Sequence, residues 1–289
     1  MKEKKIAFIG GDARQMAAAL RVRELGYSVS VFGIPGEVRD GVERLDSFAD
    51  AYTADVLVLP LPMSGDGITV SCAGDSPRLA EIFENAGGIP ILGGRVSPRA
   101  ADEASRLGVR LYDYFDSEEL KIKNAYLTAE GAVSLAMNEL DIALAGSRTA
   151  VVGYGRIGKF LARMLASLDS DVTVAARKPT DLAYAAGFGL DTLKITSRDG
   201  RSSLCDLADC HVIFNTAPHW VFDGSVLSEL SPDALIIDLA SAPGGVDPEA
   251  AKKYGIRVIS ALGLPGKYAP MTAGRFVGEA IAELIPKIT

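Results

Sequence analysis

Short apolar, β-branched runs alternate along this chain with amphipathic segments, and the rhythm persists from end to end. "KIAFIG" (5–10) reads as a first strand, followed by a helical stretch with apolar positions at Met16, Leu20 and Leu25. "SVSVFG" (28–33), "DVLVLPLP" (55–62), "IPILGG" (89–94) and "RLYDYF" (110–115) read as further strands. Strands separated by helical segments are the signature of βα units and a parallel sheet, and this many suffice for one doubly wound domain.

A long helix is predicted to start at Thr128 as N-cap, with Glu130 suiting the positive N-terminal end and Gly146 ending it. Val133, Leu135, Met137, Leu140 and Leu144 give it a buried face. The βα array restarts at "TAVVGYGRIGKFLARMLASLDSDVTVAARK" (149–178) and continues through "HVIFNTA" (211–217), "ALIIDLAS" (234–241) and "RVISALG" (257–263). A terminal helix from Thr272 to Ile285 sets Phe276, Val277, Ala280, Ile281 and Leu284 on one apolar stripe. The predicted fold class is α/β, with two doubly wound parallel-sheet domains joined by a long helix. Residues 1–126 form a flavodoxin-like substrate-side domain onto which helix 272–289 packs back. Residues 127–271 form a Rossmann dinucleotide-binding domain that includes the connecting helix.

Composition narrows the function classes. A net charge of −7 over 289 residues argues against a nucleic-acid or acidic-membrane surface. The start "MKEKKIAFIGGDARQ" is basic, but its apolar run is too short for a signal peptide and no segment suits a membrane span, so a cytoplasmic protein is expected. Three cysteines make no disulfide framework. Cys205, Cys210 and His211 match no standard zinc spacing and read as core or strand-edge residues, so no metal is assigned.

Two glycine turns follow strands at which a nucleotide could bind. "IGGDARQ" (9–15) lacks a third glycine; its Asp12 reads as a helix N-cap, and its Arg14 as either a surface residue or a carboxylate ligand. "VVGYGRIGKF" (151–160) satisfies G-x-G-x-x-G with Gly153, Gly155 and Gly158, between a strand and a helix, in a unit that reaches a second strand on schedule. Gly153 permits the tight turn, Gly155 lets the backbone approach the pyrophosphate, and Gly158 lets the helix pack on the strand; Tyr154, Arg156 and Ile157 lie between them. At the tip of the second strand, 24 residues after Gly153, stand Arg177 and Lys178 instead of the acid that holds a ribose 2′-hydroxyl. A guanidinium grips a 2′-phosphate, so NADP is favoured over NAD.

With these residues in place, "GGDARQ" (10–15), "YFDSEELKIKNA" (114–125), "TAEGA" (128–132), "NTAP" (215–218), "DLASAPGG" (238–245) and "GLPGKYAPMTAG" (263–274) together resemble the dipicolinate synthase A-subunit family, which shares the two-domain layout of D-2-hydroxyacid dehydrogenases. The resemblance implies oxidation of a dihydrodipicolinate, a small cyclic dicarboxylate, to dipicolinate during sporulation, beside a flavoprotein-like B-subunit and in a homo-oligomer. It implies Asn215, Thr216, Pro218, Asp238 and Ser241 for the nicotinamide wall, and Arg14, Arg95, Thr128, Glu130 and Lys267 for the substrate side. For Thr128 and Glu130 helix capping is the competing reading, and His219 is either the proton acceptor or a rim residue beside Trp220. The chain departs from the pattern at His219 and at Met271, where a basic residue is expected, so Lys267 or Arg275 takes the second carboxylate. An NADP-binding scaffold without chemistry stays open as an alternative. A hydroxyacid dehydrogenase is disfavoured because residues 255–289 contain no His.

Overall fold

The computed structural model describes residues 4–38, 40–198 and 201–289. The chain divides into two compact units, Met1–Asn124 with Tyr268–Thr289, and Ala125–Lys267. The first contains β1 (Lys5–Ile9), α1 (Ala13–Glu24), β2 (Ser28–Phe32), β3 (Glu43–Arg44), β4 (Val56–Val58), α2 (Leu79–Asn85), β5 (Ile91–Gly93), α3 (Pro98–Arg106) and β6 (Leu111–Asp113). The long helix α4 (Glu118–Glu139) carries the chain into the second. There follow β7 (Arg148–Val152), α5 (Arg156–Ser167), β8 (Asp171–Ala176), α6 (Pro179–Gly187) and β9 (Asp191–Lys194). A small antiparallel hairpin, β10 (Ser197–Arg198) and β11 (Arg201–Ser202), comes next. The unit is completed by β12 (Val212–Asn215), α7 (Gly224–Leu227), β13 (Leu235–Asp238), α8 (Pro248–Tyr254), β14 (Arg257–Ser260) and α9 (Leu264–Tyr268), and α10 (Pro270–Ile288) returns the chain to the first unit.

Each unit is built on a six-stranded sheet of parallel strands, in the orders β3-β2-β1-β4-β5-β6 and β9-β8-β7-β12-β13-β14. Without the two-residue β3, the five main strands of the first sheet run 2-1-3-4-5, the flavodoxin-type order. The strand period of two sorts side chains onto opposite faces. In β1, Ile6 and Phe8 join the cluster under α1 and α10, whereas Ala7 and Ile9 join the one under α2 and α3. In the second sheet Val212 and Phe214 face α4 and α5, while Ile213 faces α7 and α8. Both faces are buried, so the strands are apolar throughout, as parallel sheets require.

Two expectations about the long helix fail. It begins ten residues before Thr128, after Ser117, whose hydroxyl accepts a hydrogen bond from the Leu120 amide at 3.3 Å. Thr128 and Glu130 therefore cap nothing. The segment "EELKIKNAYL" contains no breaker and buries Leu120, Ala125 and Leu127, so the apolar periodicity carries the helix through a residue whose type alone suggested a start. The helix also ends at Glu139, and Gly146, at φ +71°, sits in the loop before β7, where its amide donates to the Asp169 carbonyl at 2.8 Å. Met137 is 52 % exposed, because Ala132, Val133 and Ala136 form the face that packs inward.

In the first unit α1 and α10 cross at close range. A Cβ on Gly274 would lie 2.3 Å from the Arg14 carbonyl oxygen, and one on Gly278 would lie 2.8 Å from the Ala18 carbonyl oxygen. Glu279 of α10 accepts ion pairs from Arg21 at 3.4 Å and from Lys123 at 3.0 Å, tying α1 and the start of α4 to the same helix. Gly274→Val should therefore push backbone against backbone and destabilise this unit by about 1–3 kcal/mol. Chemical denaturation should show the lowered midpoint, and the exposed Thr272→Ala should leave it unchanged.

Candidate functional site

A parallel sheet flanked by helices presents every helix N-terminus at the carboxyl edge of its strands, where the first-turn amides have no intrahelical partner. The turns after β1 and β7 begin alike. Gly10 (φ +64°) donates its amide to the Phe32 carbonyl and Gly153 (φ +95°) donates to the Ala175 carbonyl, each at 2.8 Å. They then diverge. Ahead of α1, the Asp12 carboxylate accepts from the Arg14 amide at 2.9 Å, and Gly11 donates to the Ser71 carbonyl at 2.7 Å. A Cβ on Gly10 would meet that Ser71 oxygen at 2.5 Å, so the 70–72 loop already fills the space over the turn. Burial pushes the Asp12 carboxyl up, but the Arg14 guanidinium and the helix amides outweigh it and hold the group below the ordinary carboxylate value.

Ahead of α5 the cap is Gly155, with no side-chain hydrogen bond, and a Cβ built there would meet nothing within 4 Å. No side chain caps the first turn of α5 and the space beside Gly155 is open, the arrangement that suits a phosphate. The flanking glycines are needed for other reasons. A Cβ on Gly153 would come within 2.3 Å of Thr216 Oγ1, and one on Gly158 within 2.1 Å of the Gly153 carbonyl oxygen. Tyr154 points into the core and Ile157 packs partly against it, while Arg156 is exposed in the first turn of α5. These residues fit the pyrophosphate of a dinucleotide.

The next strand, β8, ends at Ala176, and Arg177 and Lys178 follow it, both exposed. Neither pairs with a carboxylate among the described residues.

At the ends of β12 and β13 the polar groups are already engaged. Asn215 is fully buried and donates to Asp238 Oδ1 at 2.8 Å and to the Ala217 carbonyl at 3.1 Å, while its Oδ1 accepts from the Ala217 amide. Asp238 also accepts from the Ala240 and Gly245 amides at 3.1 and 2.9 Å. Thr216 donates its hydroxyl to the Val152 carbonyl at 3.0 Å. Asn215, Thr216 and Asp238 thus set the shape of the loops beside the glycine turn. Pro218, His219 and Trp220 are exposed on the loop beyond, which is held at its far end by the Val221 and Phe222 amides donating to the Gly245 carbonyl. Ser241 is exposed on the facing loop.

The remaining candidates are dispersed. In the first unit, Arg14 follows β1, and Arg95 follows β5 with φ +54°, a left-handed conformation that costs a non-glycine residue about 1–2 kcal/mol. Asp113 compensates by accepting from the amides of Arg95, Val96 and Phe115 at 3.0, 2.7 and 2.8 Å. The sequence reading missed this residue, although an acid at a strand's end beside a loop is a known loop organiser. In the second unit Thr128 is buried in α4, Glu130 lies on a surface groove with Met137 and Arg163, and Lys267 is exposed on α9. Arg275 is exposed on α10. Cys205 and Cys210 are buried in the core, and burial pushes the Cys210 thiol up to about 11. His211 Nδ1 accepts from the Arg148 amide at 3.0 Å. Among the described residues no cluster of His, Cys, Asp and Glu could hold a metal, and no helix is long and apolar enough to cross a membrane.

Residues 5–115 match the N-terminal domain of the dipicolinate synthase A-subunit, and residues 121–251 match the NAD-binding domain of D-isomer specific 2-hydroxyacid dehydrogenases. The chain is 31% identical to the dipicolinate synthase A-subunit of Bacillus subtilis (strain 168), over 98% of this chain and 96% of that protein. The crystal structure of the dipicolinate synthase A-subunit from Bacillus halodurans superposes with a TM-score of 0.87 at 29% identity, covering 98% of this chain and 97% of that one. The crystal structure of the corresponding Bacillus subtilis synthase chain gives 0.83 at 29% identity, covering 100% and 97%.

The different spaces around the three glycines give separable outcomes. Gly155→Ala should leave the thermal midpoint nearly unchanged and weaken dinucleotide binding about tenfold or more, because its methyl group enters only the phosphate space. Gly158→Ala should lower both. Fluorescence titration and thermal denaturation of the two variants check this, and wild-type nucleotide affinity in Gly155→Ala would contradict it.

Proposed function

The chain belongs to the dipicolinate synthase A-subunit family, and on that premise we propose that it oxidises dihydrodipicolinate to dipicolinate with NADP⁺ in the sporulating cytoplasm, together with a flavoprotein-like B-subunit. The observation that carries the nucleotide side is the uncapped N-terminus of α5 behind an open Gly155, followed by the exposed Arg177 and Lys178. The α5 amides take the pyrophosphate, and Arg177 and Lys178 take a 2′-phosphate. The bound nicotinamide supplies a hydride acceptor at its C4.

The remaining steps fall to this chain's residues. The substrate loses a hydride and a proton and gains an aromatic ring, so positioning is the larger demand. The loops pinned by Asn215, Thr216 and Asp238 form the nicotinamide wall with Pro218 and Ser241. His219, exposed on one of those loops, accepts the proton. On the substrate side, Arg14 and Arg95 are the candidates for one carboxylate, and Lys267 or Arg275, in place of the missing base at Met271, for the other.

Arg177→Asp should weaken NADP⁺ by about tenfold to a hundredfold, the worth of a charge-assisted hydrogen bond, and change NAD⁺ little. Equal losses for both nucleotides would remove the 2′-phosphate role. The reaction itself is tested in a single turnover, mixing the chain and NADP⁺ with freshly generated dihydrodipicolinate, with and without the B-subunit. The expected result is NADPH absorbance at the rate dipicolinate appears. Absence of NADPH in both mixtures would favour a scaffold protein without chemistry of its own.

A further inference from the structure

We propose that Asp12 is a positioning residue, which holds the side edge of the Arg14 guanidinium so that its terminal edge is presented to a carboxylate of the substrate. The proposal rests on the dicarboxylate reading of the substrate.

A helix cap needs one carboxylate oxygen, and Asp12 Oδ1 meets that need by accepting from the Arg14 amide at 2.9 Å. The carboxylate does more. Arg14 Nε donates to Oδ1 at 3.0 Å and to Oδ2 at 3.1 Å, and Nη2 donates to Oδ2 at 2.8 Å. A guanidinium carries five N–H donors in a rigid plane, and this pairing consumes the two on its side edge. Nη1 makes no hydrogen bond within the described residues of the first unit. The terminal edge, Nη1 with the second hydrogen of Nη2, is the other face on which Arg takes a carboxylate bidentately.

The side chain is largely buried, and the backbone that carries it is closely packed. The Arg14 side chain is only 19% exposed, and its own carbonyl lies against Gly274 of α10, close enough that a Cβ there would come within 2.3 Å. A charged group fixed in this way loses little freedom when it binds, which favours affinity. Its place in the topology fits a ligand contact. Arg14 stands in the first turn after β1, and β1 lies between β2 and β4, where the sheet's connections change direction and open α/β sheets bind their ligands.

Asn and Asp are comparable N-caps, but an Asn side chain offers one oxygen and an amide that repels the guanidinium donors. Asp12→Asn therefore keeps the cap and removes the positioning. Calorimetric titration of dipicolinate into the full chain with NADP⁺ present gives the test. Wild type should bind, and Arg14→Ala should bind about tenfold or more weakly. Asp12→Asn should bind about threefold to tenfold more weakly with an unchanged thermal midpoint, and should have no further effect in the Arg14→Ala background. In turnover, Asp12→Asn should raise KM and leave kcat within about twofold. Wild-type affinity in Asp12→Asn, or an equal loss in the Arg14→Ala background, would overturn the positioning role while leaving the substrate reading standing. A wild-type chain that binds no dipicolinate would overturn both.

Discussion

What answers the free amides at a helix N-terminus decides what each half of this protein can hold. A parallel sheet aims its helices at one edge, and each start carries partial positive charge on groups that require acceptors. In the first unit the answer is internal: Asp12 accepts from α1, and the Ser71 carbonyl takes the Gly11 amide. In the second unit Gly155 leaves α5 without a side-chain cap. The space beside Gly155 is open and exposed, the arrangement in which a helix start can take an anion from outside.

The rest of the second unit's carboxyl edge is arranged around that opening. Thr216 occupies the space in which any side chain at position 153 would have to lie, and Gly245 lies where a Cβ would come within 1.9 Å of Asn215 Nδ2. The Asn215–Asp238 pair spans the ends of two adjacent strands, with Asp238 accepting three hydrogen bonds in a site that is 6% exposed. Removing Asn215 would leave a buried carboxylate short of a donor, which is costlier than the loss of an ordinary hydrogen bond. The shape of the loops at this edge is thus set by satisfied polar groups.

The main strands were legible because both faces of each sheet are buried, so β-branched runs of four to six residues stand out between polar turns. Of the edge strands of the two sheets, β6 and β14 fall inside stretches read as strands, but β3 and β9 do not. β3 is two residues long and exposed, and β9, "DTLK", has one half-buried position in four, so neither carries an apolar signal. The start of the long helix is not legible from the capping residue type at Thr128, because apolar periodicity continues through it from Glu118. For the site, the glycine turn and the basic strand tip could be read locally, whereas Asp113 and the Asn215–Asp238 pair depend on residues 17 to 23 positions apart meeting in space. For the terminal helix the sequence supplied an apolar stripe and the expectation that it packs back on residues 1–126, but not the α1–α10 crossing itself, between residues some 260 apart.

The two turns also show why a glycine pattern is informative only as a whole. Counting from the end of the strand, Gly10, Asp12 and Gln15 stand where Gly153, Gly155 and Gly158 stand in the second unit. Replacing Asp12 by Gly would remove the negative charge but not the 70–72 loop that closes over the turn. Gln15 is 3% exposed and donates to the Val58 carbonyl, so α1 keeps a side chain between itself and the sheet, whereas Gly158 lets α5 approach the Gly153 carbonyl directly. The third glycine sets how near the helix start lies to the strand end, and the second sets whether anything can enter the gap. With both changed in the first unit, its helix start serves instead to hold Asp12 and, through it, the Arg14 fork.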